Sequence, residues 1–78
     1  MANQNGSLYR EIAEKRKIMR SEYGGTMSLT DLSFELHVTP HTAKRWGQEN
    51  GLGIMIDRRV KYDTDMVAKR LVELRGMC

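Results

Sequence analysis

Cysteine is almost absent from this chain, because Cys78 is the only one in 78 residues. A single thiol excludes an intramolecular disulfide framework and is typical of proteins kept in a reducing compartment. No apolar run approaches the roughly 20 residues that a membrane-spanning helix needs. The opening segment MANQNGSLYREI contains no apolar signal core. We therefore expect a cytoplasmic protein with no membrane partner.

Side chains that carry catalysis or bind metals are few and poorly spaced. His37 and His41 lie four residues apart, but a turn separates them, and no second acidic or cysteine ligand lies nearby. A structural zinc site needs four well-placed ligands, so we expect no metal. No Ser-His-Asp, paired-carboxylate or phosphate-loop arrangement has the required spacing. The sequence therefore predicts neither an enzyme nor a cofactor.

The basic charge of the chain is modest in total but uneven in distribution. The formal net charge is +3. Residues 8–22 hold five basic against three acidic groups, and residues 41–61 hold five against two, whereas residues 23–40 carry two acids and no base. Two positive segments are what a polyanion-facing surface needs. Solvated helix faces give the same pattern, and taken alone the charges favour that simpler explanation.

A chain of this length forms a single domain. Residues 1–7 are polar and are expected to form a flexible N-terminal tail. Residues 8–22 lack glycine and proline and predict an accessory helix, which Gly24 and Gly25 end.

Two short helices are predicted within residues 28–50. Ser28 and Asp31 have the spacing of a capping box. Thr39 is placed to cap the second helix, and Pro40 occupies its first turn, where a missing N–H costs nothing. Helices joined by three or four residues form a helix-turn-helix pattern.

A wing-like β-hairpin is predicted within residues 54–62, because two β-prone runs, IMI and VKY, flank Asp57-Arg58-Arg59. Its alternation predicts an inner, apolar face made by Ile54, Ile56, Val60 and Tyr62. Arg59 and Lys61 are then expected to point outward, with Arg58 at the turn. A C-terminal helix follows within residues 63–75, capped by Asp63.

Three segments, in this order, resemble the MerR-like winged helix-turn-helix family, and most of all its small excisionase-like DNA-binding proteins of phages and integrative elements. They are SLTDLSFEL, HVTPHTAKRW and IMIDRRVKYDTDMV, within residues 27–71. The resemblance implies a mainly α fold with a small β-hairpin, namely a winged helix-turn-helix preceded by an extra N-terminal helix. The chain departs from the family at His37 and Asp57, where glycine is usual or frequent, and at Ser33, where alanine is usual.

The resemblance implies that double-stranded DNA is the partner and that the second helix of the pair enters the major groove. Ala43 and Trp46 face inward by their spacing. The residues implied in the recognition helix are Thr39, Pro40, His41, Thr42, Lys44, Arg45 and Gln48. Those implied in the wing are Arg58, Arg59 and Lys61. Arginine and lysine can donate to guanine, and glutamine can pair with adenine.

The first helix has two interpretations. Arg16 and Arg20 are candidates for contacts to flanking backbone phosphates, but the interspersed Glu11, Glu14 and Glu22 favour a solvated amphipathic face. Phe34 points away from the inner face of its helix, and we expect the first helix to cover it, with a dimer contact as the alternative.

Several biological roles fit such a DNA-binding domain. We expect an excisionase-like or transcriptional regulatory factor that acts by self-association or beside a recombinase or transcription partner. The alternatives are the small DNA-recognition subunit of a phage packaging terminase, or a protein-interaction module. Because little chain follows the last helix, we expect no small-molecule effector.

Overall fold

Within residues 2–76 the protein consists of four helices and a three-stranded antiparallel sheet. The computed structural model describes the backbone of residues 2–76 and the side chains of residues 8–75. The helices are α1 (Ala2–Tyr23), α2 (Leu29–Leu36), α3 (Pro40–Glu49) and α4 (Thr64–Gly76). The strands are β1 (Thr26–Met27), β2 (Gly53–Ile56) and β3 (Arg59–Asp63), in the order β1-β3-β2. The predicted mainly helical composition is therefore confirmed.

Helix α1 is longer than the sequence predicted. It begins at Ala2 and ends at Tyr23, so the flexible tail expected over residues 1–7 is wrong for residues 2–7. The polar composition of this segment does not oppose helix formation once a helix begins, because adding a residue costs far less than nucleation. Met1 and Cys78 lie outside the described residues. Gly24 ends α1 as predicted, at a φ of 83° that favours glycine.

The caps of α2 and α3 follow the sequence prediction. The Ser28 hydroxyl accepts a hydrogen bond from the Asp31 N–H, and the Asp31 carboxylate accepts one from the Ser28 N–H, each at 3.1 Å. Thr39 Oγ1 accepts from the Thr42 N–H at 3.3 Å. Both helices therefore begin where their capping residues dictate.

The turn between α2 and α3 is made by residues 37–39. His37 takes the left-handed conformation, with φ 58°, and the Val38 N–H donates to the Ser33 carbonyl at 3.1 Å. This pairing is that of a Schellman ending, which most often has glycine at the left-handed position. The turn thus forms with histidine in place of the more usual glycine.

Strand β1 was not predicted. It pairs with β3 through Thr26↔Asp63 and Met27↔Tyr62, and this makes β3 the central strand of the sheet. Two residues are too few to show the alternation that identifies a strand in sequence. Its pairing places Met27, which is fully buried, beside the hairpin.

One ring contact couples the sheet to α3. Tyr62 of β3 is 2% exposed, and its ring packs against Gly47 of α3. A Cβ at position 47 would lie only 2.5 Å from Tyr62 Cε1. Glycine at this position therefore allows α3 and β3 to approach closely. The surrounding core is formed by Met19, Met27, Leu32, Ala43, Leu52, Val67 and Ala68.

Polar contacts join α1 to α2 and to α4. The Arg20 guanidinium donates to both carboxylate oxygens of Asp65, at 2.8 and 2.6 Å. Lys15 Nζ and the Tyr23 hydroxyl both donate to Glu35, at 3.1 and 2.9 Å. Burial, followed by the hydrogen bond to Glu35, raises the pKa of Tyr23 above its ordinary range, so the phenol keeps its proton.

The expectation that α1 covers Phe34 is wrong. Phe34 is 70% exposed, and its ring lies 6.5 Å from the His37 ring, centroid to centroid. Helix α1 meets α2 at Glu35 instead. Since adjacent helix positions point about 100° apart, a contact through residue 35 leaves residue 34 turned away.

The close approach of Tyr62 and Gly47 predicts a cost for any side chain at position 47. Gly47→Ala should lower the free energy of unfolding by about 1–2 kcal/mol, because overpacking a rigid, buried ring outweighs the better helix propensity of alanine. Gly25→Ala is the matched control, because a Cβ there would meet nothing within 4 Å. Urea unfolding measures both, and equal stability of the two variants would contradict the packing argument.

Candidate nucleic-acid interface

Helix α3 has one buried side and one exposed side. Ala43 and Gly47 are buried, and Trp46 packs against the core while remaining partly exposed. The predicted inward direction of Ala43 and Trp46 is therefore confirmed. The candidate contact residues are all exposed, namely Thr39, Pro40, His41, Thr42, Lys44, Arg45 and Gln48. The helix is thus anchored along one side and open along the other.

In the first turns of α3, some candidate residues cap the helix and others are free to contact a ligand. Thr39 Oγ1 accepts from the Thr42 N–H and donates to Thr42 Oγ1 at 3.1 Å, so the Thr39 hydroxyl is engaged in the cap. One turn later, Arg45 Nη2 lies 3.4 Å from His41 Nε2. His41, Lys44, Arg45 and Gln48 line a shallow depression of about 320 Å³. Donors capable of meeting an acidic ligand are therefore concentrated along this depression.

The hairpin turns on two strained residues. Ile56 pairs with Arg59, which leaves Asp57 and Arg58 as a two-residue loop. Their φ values are 50° and 66°, and positive φ at both positions is what a type I′ turn requires. Glycine and asparagine suit these positions better than arginine does. Arg58 stands exposed at the tip, as predicted from the sequence.

The predicted faces of the hairpin are partly wrong. Directly paired residues point to the same face of a sheet, and Ile54 pairs with Lys61 while Ile56 pairs with Arg59. The two isoleucines therefore share a face with the two cations rather than with Tyr62. The sequence prediction placed the apolar residues of the two strands on the same face. Which residues of β2 and β3 share a face depends on the register, which the two-residue loop sets.

Lys44 and Gln48 also line a second depression, which separates α3 from the hairpin. It has a volume of about 210 Å³. Its other lining residues are Gly53, Ile54, Met55, Val60 and Tyr62. Sequence reasoning assigned Tyr62 to the interior of the hairpin and gave Met55 no role. No sequence signal identified this lining, because it depends on the register that pairs Met55 with Val60 and Gly53 with Tyr62, and only the fold sets that register.

The cations divide into paired and unpaired sets. Among the described side chains, the ion pairs are Lys15–Glu35, Arg20–Asp65 and Arg70–Glu73, none of which involves α3 or the hairpin. Within that same part of the chain, no acidic group pairs with the five cations of α3 and the hairpin, which are Lys44, Arg45, Arg58, Arg59 and Lys61. Four of them are exposed, and Lys61 is half-buried. These cations therefore have no ion-pair partner within residues 8–75, and the same is true of Arg10, Lys17, Lys69 and Arg75 on α1 and α4.

The two arginines of α1 that are candidates for phosphate contacts, Arg16 and Arg20, have different surroundings. Arg20 is held by both oxygens of Asp65. Arg16 is partly buried, and its Nε has no hydrogen-bond acceptor among the described residues. A phosphate contact by Arg20 would have to compete with a bidentate ion pair. Both residues stay predictions as backbone contacts.

No family model, curated protein or solved structure matches this chain. No group of three metal-binding side chains is present among the described residues. None of the described helices combines the length and the apolar character needed to cross a bilayer.

The hairpin tip generates a stability prediction. Arg58→Gly should raise the free energy of unfolding by about 0.5–1 kcal/mol, because a left-handed conformation costs a non-glycine residue roughly 1–2 kcal/mol, partly offset by glycine entropy. Arg59→Gly removes the same charge within a strand and should instead lower it by about 0.5–1 kcal/mol. Urea unfolding compares the two, and destabilisation by Arg58→Gly would contradict strain at the tip.

Proposed function

We propose that this protein binds duplex DNA as a winged helix-turn-helix, with α3 as the recognition helix and the β2–β3 hairpin as the wing. The observation that carries the proposal is the set of five unpaired cations on these two adjacent elements. Acidic partners neutralise Lys15 and Arg20 of α1, whereas α3 and the hairpin keep their positive charge. Such a surface attracts a polyanion.

The geometry of α3 supports insertion into the major groove, which is wide enough for one helix. Burial of Ala43 and Gly47 fixes the helix, and its exposed side presents His41, Thr42 and Arg45. We expect the first turn of α3 to meet base edges, with Lys44 and Arg45 combining phosphate and base contacts. This division would make binding sequence-specific.

The hairpin supports a second contact. Arg58 stands at the tip and Arg59 beside it, both exposed. Arginine suits a narrow minor groove, where negative potential is concentrated. A single module of this kind buries on the order of 600–1,000 Å². Solitary affinity should therefore be modest and raised by self-association or by a recombinase or transcription partner. The excisionase-like and transcriptional roles both fit this behaviour.

A protein-interaction module is the second candidate function, and Phe34 is the observation that favours it. A phenylalanine that is 70% exposed beside His37 offers an apolar anchor that none of the proposed DNA contacts uses. Such a contact is compatible with DNA binding, because Phe34 of α2 is not among the residues proposed to contact DNA. It would also serve the partner recruitment that modest affinity requires.

Fluorescence anisotropy with a labelled mixed-sequence duplex tests the DNA proposal. Five neutralised phosphates predict a log-log salt slope of roughly −4 to −5. Arg45→Ala and Arg59→Ala should each weaken binding about tenfold, and loss of one phosphate contact makes the slope shallower by about 0.9.

The matched control is Arg70→Ala, which removes an equal charge from α4, where Arg70 faces Glu73 at 3.7 Å. It should bind as the wild type does. Equal losses in all three variants would mean that only net charge matters and would contradict a defined interface. Wild-type protein that does not bind even at low salt would overturn DNA binding altogether.

Phe34→Ser tests the second candidate. Because the side chain is exposed, the substitution should change the free energy of unfolding by no more than about 0.5 kcal/mol. The variant should bind DNA with wild-type affinity when the protein is dilute enough to bind singly, as measured by fluorescence anisotropy. It should self-associate less than the wild type, as measured by sedimentation velocity. If the wild type self-associates and Phe34→Ser sediments in the same way, Phe34 takes no part in that association.

A further inference from the structure

The depression between α3 and the hairpin combines polar donors with an apolar floor. Lys44 and Gln48 reach it from α3, and Met55 and Val60 reach it from the paired strands β2 and β3. Met55 is 68% exposed and Val60 39%, so the apolar side is open to a ligand. We call this depression, of about 210 Å³, the α3–hairpin groove.

Tyr62 contributes a hydroxyl that has no partner within the described part of the chain. The residue is 2% exposed and lines the groove, yet its hydroxyl makes no hydrogen bond to any described residue. Among the described residues, the polar side-chain atoms that are inaccessible to solvent and lack a hydrogen bond belong to Arg16 and Thr64. The Tyr62 oxygen also lacks a hydrogen bond but is not among these inaccessible atoms. The oxygen therefore keeps contact with solvent, and the groove is the opening that Tyr62 lines.

The position of this hydroxyl is fixed by packing. The Tyr62 ring packs against Gly47, which has no side chain. Strand β3, which carries Tyr62, is paired with a strand on each side. Because the oxygen meets solvent, a ligand acceptor at this fixed position can take the place of its water partner. Burial also raises the pKa of Tyr62, so the group remains a neutral donor.

The groove is continuous with the exposed side of α3. Lys44 and Gln48 line it and also line the depression that contains His41 and Arg45. A ligand on that side of α3 would therefore pass directly over the groove. A group that accepts hydrogen bonds, carries negative charge and has an apolar neighbour fits the lining best.

We propose that the α3–hairpin groove binds one phosphodiester of the DNA backbone, with Tyr62 Oη and Lys44 Nζ donating to its oxygens. Gln48 donates its amide to the same phosphate, and Met55 and Val60 pack against the adjoining deoxyribose. The proposal rests on the proposed function and adds a neutral, buried donor to its cationic surface. Tyr62 would thus fix the register of the backbone between the recognition helix and the wing.

The substitution Tyr62→Phe removes only the hydroxyl and keeps the ring on Gly47. DNA affinity measured by anisotropy should fall about tenfold, the loss expected for one hydrogen bond to a charged acceptor. The salt slope should stay unchanged because the lost donor is neutral, whereas Lys44→Gln should make it shallower by about 0.9. Urea unfolding should show Tyr62→Phe to be at least as stable as the wild type.

The matched control is Tyr9→Phe, which removes a hydroxyl from a tyrosine of α1 that is 75% exposed. Its DNA affinity should equal that of the wild type. Wild-type affinity in Tyr62→Phe, together with weakened binding in Arg45→Ala, would overturn the groove and leave the proposed function standing. Absence of DNA binding by the wild type would overturn both.

Inorganic phosphate distinguishes the backbone of a duplex from a free anion. At constant ionic strength, calorimetric titration of inorganic phosphate into the protein without DNA should give no heat that differs between the wild type and Tyr62→Phe. Phosphate binding by the wild type that Tyr62→Phe abolishes, together with unchanged DNA affinity in that variant, would assign the groove to a free anion and overturn its assignment to a phosphodiester of DNA.

Discussion

The contact between the Tyr62 ring and Gly47 is the constraint on which the arrangement of the candidate interface depends. Tyr62 lies on β3, the central strand, so whatever packs on its ring is fixed relative to both neighbouring strands. Gly47 lies on the buried side of α3. Because no Cβ intervenes, helix and sheet approach closely, and the exposed side of α3 and the hairpin come to flank one groove.

The described ion pairs lie on α1, α2 and α4 rather than on α3 or the hairpin. The acids Glu35 and Asp65 engage Lys15 and Arg20 between α1 and its neighbours. Partly exposed ion pairs of this kind add little to stability. They do not reach the cations of α3 and the hairpin, which have no ion-pair partner among the described side chains.

Local sequence signals predicted much of the fold because they act over short distances. The caps at Ser28 and Thr39 each engage an N–H group three residues away, so their outcome is decided locally. The same holds for Gly24, whose left-handed φ ends α1. The start of α1 was missed because a polar segment joined to an existing helix needs no nucleation of its own. Turns at His37 and Arg58 formed despite unfavourable residues, since backbone hydrogen bonds to α2 hold the first and strand pairing on both sides holds the second.

The sequence by itself determined that residues 8–22, α2, α3 and α4 are helical, where α2 and α3 begin, and that Lys44, Arg45, Arg58 and Arg59 belong to two basic elements. Only the tertiary structure decided the phase of the hairpin faces, the pairing of β1 and the exposure of Phe34. It alone brought Lys44 beside Met55 and Tyr62. The physical reason is range: capping and helix propensity are settled within one turn, whereas strand register and helix–sheet contacts join residues distant in sequence, whose neighbours no local pattern specifies.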